Sequence, residues 1–181
     1  MSRARTIADY GDGVAASDLA STLDLSGKTV TLPSGTGGKV LQMVQTNQGH
    51  KYINQTSWMD TGLAGTITST QANSKFYVLF TFCSQTEQNG TEAVMEIRSS
   101  LDSYTARVGG AGVSGTIRSS SGWVQLPGSL QVLDSPSQPA GTTITYTIYG
   151  KRTAGTSTFY LADIWGGESK ATAAMIMELA G

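Results

Sequence analysis

LDSPSQPAGTTITYTIYGKRTAGTSTFYLADIWGG, residues Leu133–Gly167, and the segment ATAAMIMELAG at Ala171–Gly181 decide the fold class. Ile144, Tyr146 and Ile148 alternate with Thr143, Thr145 and Thr147. A period of two over that length is the pattern of a strand with one face in a core. The last segment sets Met175, Met177 and Leu179 on one face and Ala174, Ile176 and Glu178 on the other. A terminal strand so rich in apolar side chains needs cover, so these final residues are expected to be built into the domain.

The same pattern recurs upstream. Lys39–Thr46 reads as a first strand, Trp58 and Met59 lie in or near a second, and Leu63–Thr70 reads as the next. Lys75–Ser84 (KFYVLFTFCS) is the strongest, with Val78, Phe80 and Phe82 on one face and Tyr77, Leu79 and Cys83 on the other. A strand apolar on both faces is expected to be central and covered on both sides, by a second sheet or by another chain. Glu92–Leu101, Trp123–Asp134 and three strands in the C-terminal stretch complete the set. Pro127 cannot donate to a ladder, which marks an edge or a bulge in the Trp123 strand. Frequent turn signals between short strands predict an all-β domain, an antiparallel jelly-roll-like sandwich over residues 34–181.

Residues 1–33 differ from this domain. Met1–Gly13 is polar and carries Arg3 and Arg5, and the following residues contribute Leu19, Leu23, Leu25, Val30 and Leu32. Leu19 and Leu23 lie four apart and could share a helical face, whereas Val30 and Leu32 alternate with Thr29 and Thr31 as in an extended segment. These residues are too few for an independent core. The segment reads as an extended N-terminal arm that is either a leader or packs against a partner or copies of the chain.

Composition bounds the function. In 181 residues there are 22 Gly, only 14% charged residues and a net charge of −1, which favours short strands and turns over long charged helices. Without a broad basic surface, nucleic-acid binding is not indicated. No segment approaches the ~20 consecutive apolar residues of a membrane helix, so no membrane insertion is expected. The N-terminus lacks the apolar centre of a signal peptide, and Cys83 is the single cysteine, so no disulfide framework arises. Synthesis in a reducing cytoplasm follows as the expectation.

Catalytic groups are sparse. His50 is the only histidine and sits in the polar stretch NQGHKYIN. It reads as a surface residue rather than a base, because a Ser–His–Asp arrangement would have to rely on it alone. Cys83 ends the most apolar strand and reads as a small buried hydrophobe. Glu87, Glu92, Glu96, Asp102, Asp134 and Asp163 are scattered, and none pairs by spacing as a glycosidase acid and nucleophile. They read as solvated, or as paired with Lys75, Arg98, Arg107 or Lys151. Gly110–Gly115 fits GxGxxG, but TIRSSSGW follows and supplies no helix to hold a pyrophosphate, so the motif reads as a loop. Asn54–Thr56 and Asn89–Thr91 match a glycosylation acceptor and carry little weight without a secretory signal. The expectation is a non-enzyme with no catalytic residue, cofactor or metal.

The candidate contact residues are aromatic side chains near strand ends and their polar neighbours: Trp58, Asp60, Asn89, Trp123 and Trp165. Rings beside Asn and Asp form a surface on which a pyranose can stack. The competing reading places all three Trp side chains in core or inter-subunit packing, where large rings bury the most area. Gln85–Thr91 and Val108–Ser121, rich in Gly, Ser and Asn, read as adaptable contact loops.

The ordered series GKVLQMVQT (Gly38–Thr46), SWMDTGLAGTITSTQANSKFYVLF (Ser57–Phe80), Leu130–Leu161 and ATAAMIMELAG resembles virion proteins of tailed bacteriophages, those of marine and cyanobacterial phages in particular. The leader TIADYGDGVAASDLASTLDLSGKTVTLP, at Thr6–Pro33, shares that likeness, so the resemblance spans nearly the whole chain. It implies a structural protein of the virion, a short tail fibre or fibre head used in host attachment, assembled as a homotrimer. The arm would then contact other virion proteins, and the β domain would face host cell-surface glycan. A capsid decoration or cement protein is the alternative it leaves open. The chain departs from long fibres in having no internal shaft repeat.

Overall fold

The computed structural model describes residues 39–49, 51–86, 90–109, 115–118, 125–161 and 172–181. The arm expected over 1–33, His50, Asn89, Trp123 and Trp165 lie outside the described residues. Within them the chain is antiparallel β. The strands are β1 (Val40–Gln48), β2 (Tyr52–Ile53), β3 (Met59–Thr68), β4 (Lys75–Thr86), β5 (Glu92–Ser99), β6 (Gly115–Arg118), β7 (Gln125–Asp134), β8 (Thr143–Ala154), β9 (Phe159–Tyr160) and β10 (Thr172–Leu179). A single 3-10 turn, Ser100–Asp102, follows β5. Among the described residues no helix is long and apolar enough to cross a membrane.

Two sheets face each other. In the first, β1, β10 and β4 are neighbours, β7 lies on the other edge of β4, and the short ribbon β9–β2 continues beside the end of β4. The second runs β3-β8-β5-β6. Every pairing is antiparallel. This is a jelly-roll-like sandwich, as the alternation predicts. Pro127 sits in β7 opposite Cys83, and among the described residues β7 pairs with β4 alone, an edge position of the kind that proline favours.

The core lies between the sheets. Phe76, Val78, Phe80 and Phe82 of β4 and Ala174 and Ile176 of β10 meet Leu63 and Ile67 of β3, Ile144, Tyr146 and Ile148 of β8, and Ala93, Met95 and Ile97 of β5. Gly65 permits a close approach of the sheets: a Cβ there would lie 3.0 Å from both Ala174 Cβ and Ile176 Cδ1. The Tyr146 ring tilts against Phe76 at 6.4 Å, and its hydroxyl donates to Asp134 Oδ2 at 2.8 Å. Burial, with the Asp134 charge behind it, holds that phenol above its ordinary range and therefore protonated.

Two local expectations change. The segments read as separate around Trp58 and Leu63 form one strand, β3, with a register shift between Asp60 and Ala64 and Gly62 at φ 72°. Thr61 fills the interruption, its hydroxyl donating to the Ile148 carbonyl at 2.7 Å and accepting the Leu63 N–H at 3.2 Å. Next, β4 is central, but over Lys75–Cys83 only one of its faces is buried; Tyr77, Leu79 and Cys83 are half-buried. Cys83 is therefore not the fully buried hydrophobe expected.

The alternation left open which face of β10 turns inward; Ala174, Ile176 and Glu178 do, while Met175, Met177 and Leu179 stay half-buried outside. A carboxylate on the inner face needs donors, and the turn between β3 and β4 supplies them. Ser74 Oγ donates to Glu178 Oε1 at 2.6 Å, the Thr70 N–H at 2.8 Å and the Gln71 N–H at 3.2 Å. Gln42 Nε2 and the Thr70 hydroxyl donate to Oε2 at 2.7 and 2.9 Å. Burial alone would raise the carboxyl pKa, but these bonds outweigh it and hold the value at about 2. Glu178, with 0% of its surface exposed, thus pins the end of β10 to β1 and to the β3–β4 turn.

Candidate functional site

The outward face of the second sheet carries the polar half of the β8 alternation. Thr66 and Thr68 of β3 stand opposite Thr145 and Thr143 of β8, and each hydroxyl pair is bonded at 2.9 Å. Farther along, the same face turns ionic and aromatic. Asp60, Tyr149 and Glu96 form one cross-strand row, and Val94 lies opposite Lys151.

Arg98 is the centre of that region. Its Nε and Nη2 each lie 2.6 Å from Glu96 Oε1, and Nη1 donates to the Tyr104 carbonyl at 2.8 Å. The guanidinium carbon is 4.6 Å from the Tyr149 ring centre and 5.2 Å from that of Trp58. Tyr104 stacks on Tyr149 at 5.8 Å, and Lys151 Nζ lies 4.8 Å from the Trp58 ring. A planar cation held by a carboxylate and set against two rings is a rigid arrangement, each ring contact contributing about 0.5–2 kcal/mol. Burial, then the Asp60 charge, raises the Tyr149 pKa against the opposing effect of Arg98. The phenol remains a hydrogen-bond donor at neutral pH.

Of the expected contact residues, the structure brings Trp58 and Asp60 to this face. Trp58 is half-buried with two cations at its ring. Asp60 is exposed and accepts the Gly62 N–H at 2.6 Å. Asn89, Trp123 and Trp165 lie outside the described residues. The contact loop read over Gln85–Thr91 is corrected: Gln85 and Thr86 belong to β4, and both are buried, as is Thr91. Val108, at the start of the second loop, is also buried, and Gly115–Arg118 within it form β6.

An open cleft adjoins Asp60, lined by Lys51, Tyr52, Met59, Asp60, Thr61 and Gly62. A second, lined by Tyr52, Asn54, Thr158 and Tyr160, shares Tyr52 with it. Tyr52 is 45% exposed and pairs in register with Tyr160 across β2 and β9. The ribbon is tied down by the fully buried Ile53 and Phe159 and by the Leu161 N–H donating to the Lys51 carbonyl at 2.8 Å. An exposed phenol ring therefore stands on a fixed base, with hydroxyl, amide, ammonium and carboxylate groups around it.

Tyr52, Tyr104, Tyr149 and Arg98 were not singled out as contact residues in the sequence; Arg98 was read only as an ion-pair partner for a carboxylate, and it does pair with Glu96. The available signal was Glu96 and Arg98 at period two on β5, matched by Tyr149 and Lys151 at period two on β8. Among the described residues no group of three His, Cys, Asp or Glu side chains could hold a metal ion. The Glu96 carboxylate is committed to Arg98, and the Asp134 carboxylate accepts from Tyr146. The chemistry this surface offers is contact by stacking and hydrogen bonding.

No protein-family model matches the sequence, and no curated protein matches it. Some solved structures are weakly similar to it. One is a carbohydrate binding module, CBM6cm-2, from Cellvibrio mixtus lichenase 5A in complex with cellotriose, at 16% identity and a TM-score of 0.31, with 79% of this chain and 99% of that one covered. Another is the VP2 subviral particle of infectious bursal disease virus, at 9% identity and a TM-score of 0.38, covering 89% of this chain and 43% of that one. A third is Eiger TNF from S. frugiperda, at 10% identity and a TM-score of 0.27, covering 76% and 93%. At such scores the likeness carries no argument, and no residue role passes from these proteins to this chain.

Proposed function

We propose that the chain is a structural protein of a tailed-phage virion, a short fibre or fibre head that assembles as a homotrimer and contacts host cell-surface glycan without catalysis. Residues 1–33 would attach it to the particle. The sequence resemblance supports the virion setting. The observation that carries the glycan contact is Tyr52, exposed between two open clefts that bring Lys51, Asp60, Asn54 and Thr158 to its sides. A sugar ring presents C–H groups on its face and hydroxyls at its rim, so a ring to stack on, bordered by fixed polar groups, is the complementary surface. Asp60 links this cleft to the Trp58–Arg98–Tyr149 cluster, since it lines the cleft and pairs in register with Tyr149.

The test is a glycan array with the full chain beside Tyr52→Ala, read together with immunogold labelling of intact particles. Array binding that falls at least tenfold in the variant, with gold at the tail, is the expected result. Gold spread over the capsid and no array binding would make the chain a decoration protein, and binding indifferent to Tyr52 would overturn the site.

A further inference from the structure

The outward side of the first sheet is read directly from its pairing registers. Met43, Met177, Tyr77 and Leu133 make one row across β1, β10, β4 and β7, and Gln45, Met175, Leu79 and Gln131 make the next. Asn47, Ala173, Thr81 and Ser129 form a third. Val40 and Leu179 border the face at one end beside Lys75, and Cys83 and Pro127 border it at the other. Met43, Leu133 and Val40 are 57%, 54% and 50% exposed, while Tyr77, Leu79, Met175 and Met177 are half-buried. No carboxylate stands at these positions, and Lys75 is the one charge among them, at the margin.

We propose that this face is where copies of this chain meet, which deepens the assembly part of the function proposed above and rests on it. Four strands about 4.8 Å apart and about eight residues long span roughly 500 Å² per copy, and two such faces together approach the roughly 1,000 Å² that a specific interface must clear. Met43, Leu133 and Val40, with the half-buried Met175, Met177, Tyr77 and Leu79, give this face an apolar stripe, the kind of surface patch that is often functional. The occupant follows from charge and symmetry. A partner with an acidic or basic surface would lose hydration and find no counter-charge here. Other copies present the same rows, so with the Met43–Met177–Tyr77–Leu133 row of each turned toward the threefold axis of the proposed trimer, apolar groups meet apolar groups. The Gln, Asn and Ser side chains alongside then form the wet margin of the contact. Methionine, unbranched and polarisable, adapts to a facing copy of itself.

The experiment is light scattering and sedimentation of the full chain over a concentration series, with Met177→Glu, Met43→Glu and, as a control away from this face, Leu101→Glu. Circular dichroism and thermal melts establish that each variant folds. Met43 is the more exposed position, so Met43→Glu carries the test should Met177→Glu misfold. The wild type is expected to run as a discrete oligomer, and either glutamate to weaken association at least tenfold, toward the 18.9 kDa of a single chain. Leu101→Glu is expected to leave it unchanged. A wild type that stays monomeric overturns the proposal and leaves residues 1–38 or another virion protein to cover the face. Association indifferent to both glutamates overturns it as well. Glycan binding per chain by monomeric Met43→Glu is read separately, so failure of this interface and failure of the Tyr52 site are distinguishable.

Discussion

Keeping Glu178 ionised inside the fold couples stability to pH. Its pKa is held at about 2, against an ordinary value of 4.5, so the unfolded chain takes up the proton first as acid is added. The stabilisation is complete above the unfolded value and disappears as pH falls through the folded one. Between roughly pH 5 and pH 2 the loss from this group amounts to about 3 kcal/mol. Glu178→Gln is expected to be less stable than the wild type at pH 7, because the amide NH₂ turns a donor toward Ser74, Thr70 or Gln42. It is also expected to lose less stability between pH 5 and pH 2. Urea unfolding of both proteins at several pH values checks this, and equal acid slopes would count against the carboxylate's role.

Turns and strand faces show where the sequence was readable and where it was not. Gly155, between β8 and β9, has φ 74°, and a Cβ there would lie 2.7 Å from Thr91 Cα; Gly141 has φ 83° and open space around it. Both Gly→Ala changes carry backbone strain, but only Gly155→Ala adds a clash with main chain. The expected cost is about 1 kcal/mol at Gly141 and about 1–3 kcal/mol more at Gly155, read as midpoint shifts in denaturant. The strands themselves were legible because alternation is local: Ile144, Tyr146 and Ile148 of β8 are buried, and Thr143 is exposed. Which face of β10 turns inward was not legible, since the donors to Glu178 come from Gln42, Thr70 and Ser74, more than a hundred residues earlier. The bulge in β3 escaped for a similar reason, as Thr61 completes it through the Ile148 carbonyl on another strand. In the candidate site, composition picked out Trp58 and Asp60. Strand pairing then brought Arg98, Tyr149 and Lys151 to Trp58, and no spacing within the chain announces that.

The sandwich depends on pairings between strands far apart in sequence. β10 lies between β1 and β4, with Met43 beside Met177 on one side and Tyr77 on the other. Removing Thr172–Gly181 would take Ala174 and Ile176 from the core, strip β1 of its partner and leave the β3–β4 turn facing no carboxylate. The truncated chain is expected to show no cooperative melt and to be cut rapidly by protease; a native-like melt would mean that β1 can pair with β4 unaided. Folding of the intact chain is expected to fall in the millisecond-to-second range of β topologies rich in non-local contacts. The position of β10 also bears on synthesis. By the time the ribosome is making β8 and β9, β1 and β4 are outside the exit tunnel, each with an edge that waits for β10 to join them. That interval is when two nascent chains on one polysome could exchange strands, and a holding chaperone would have its longest window to act.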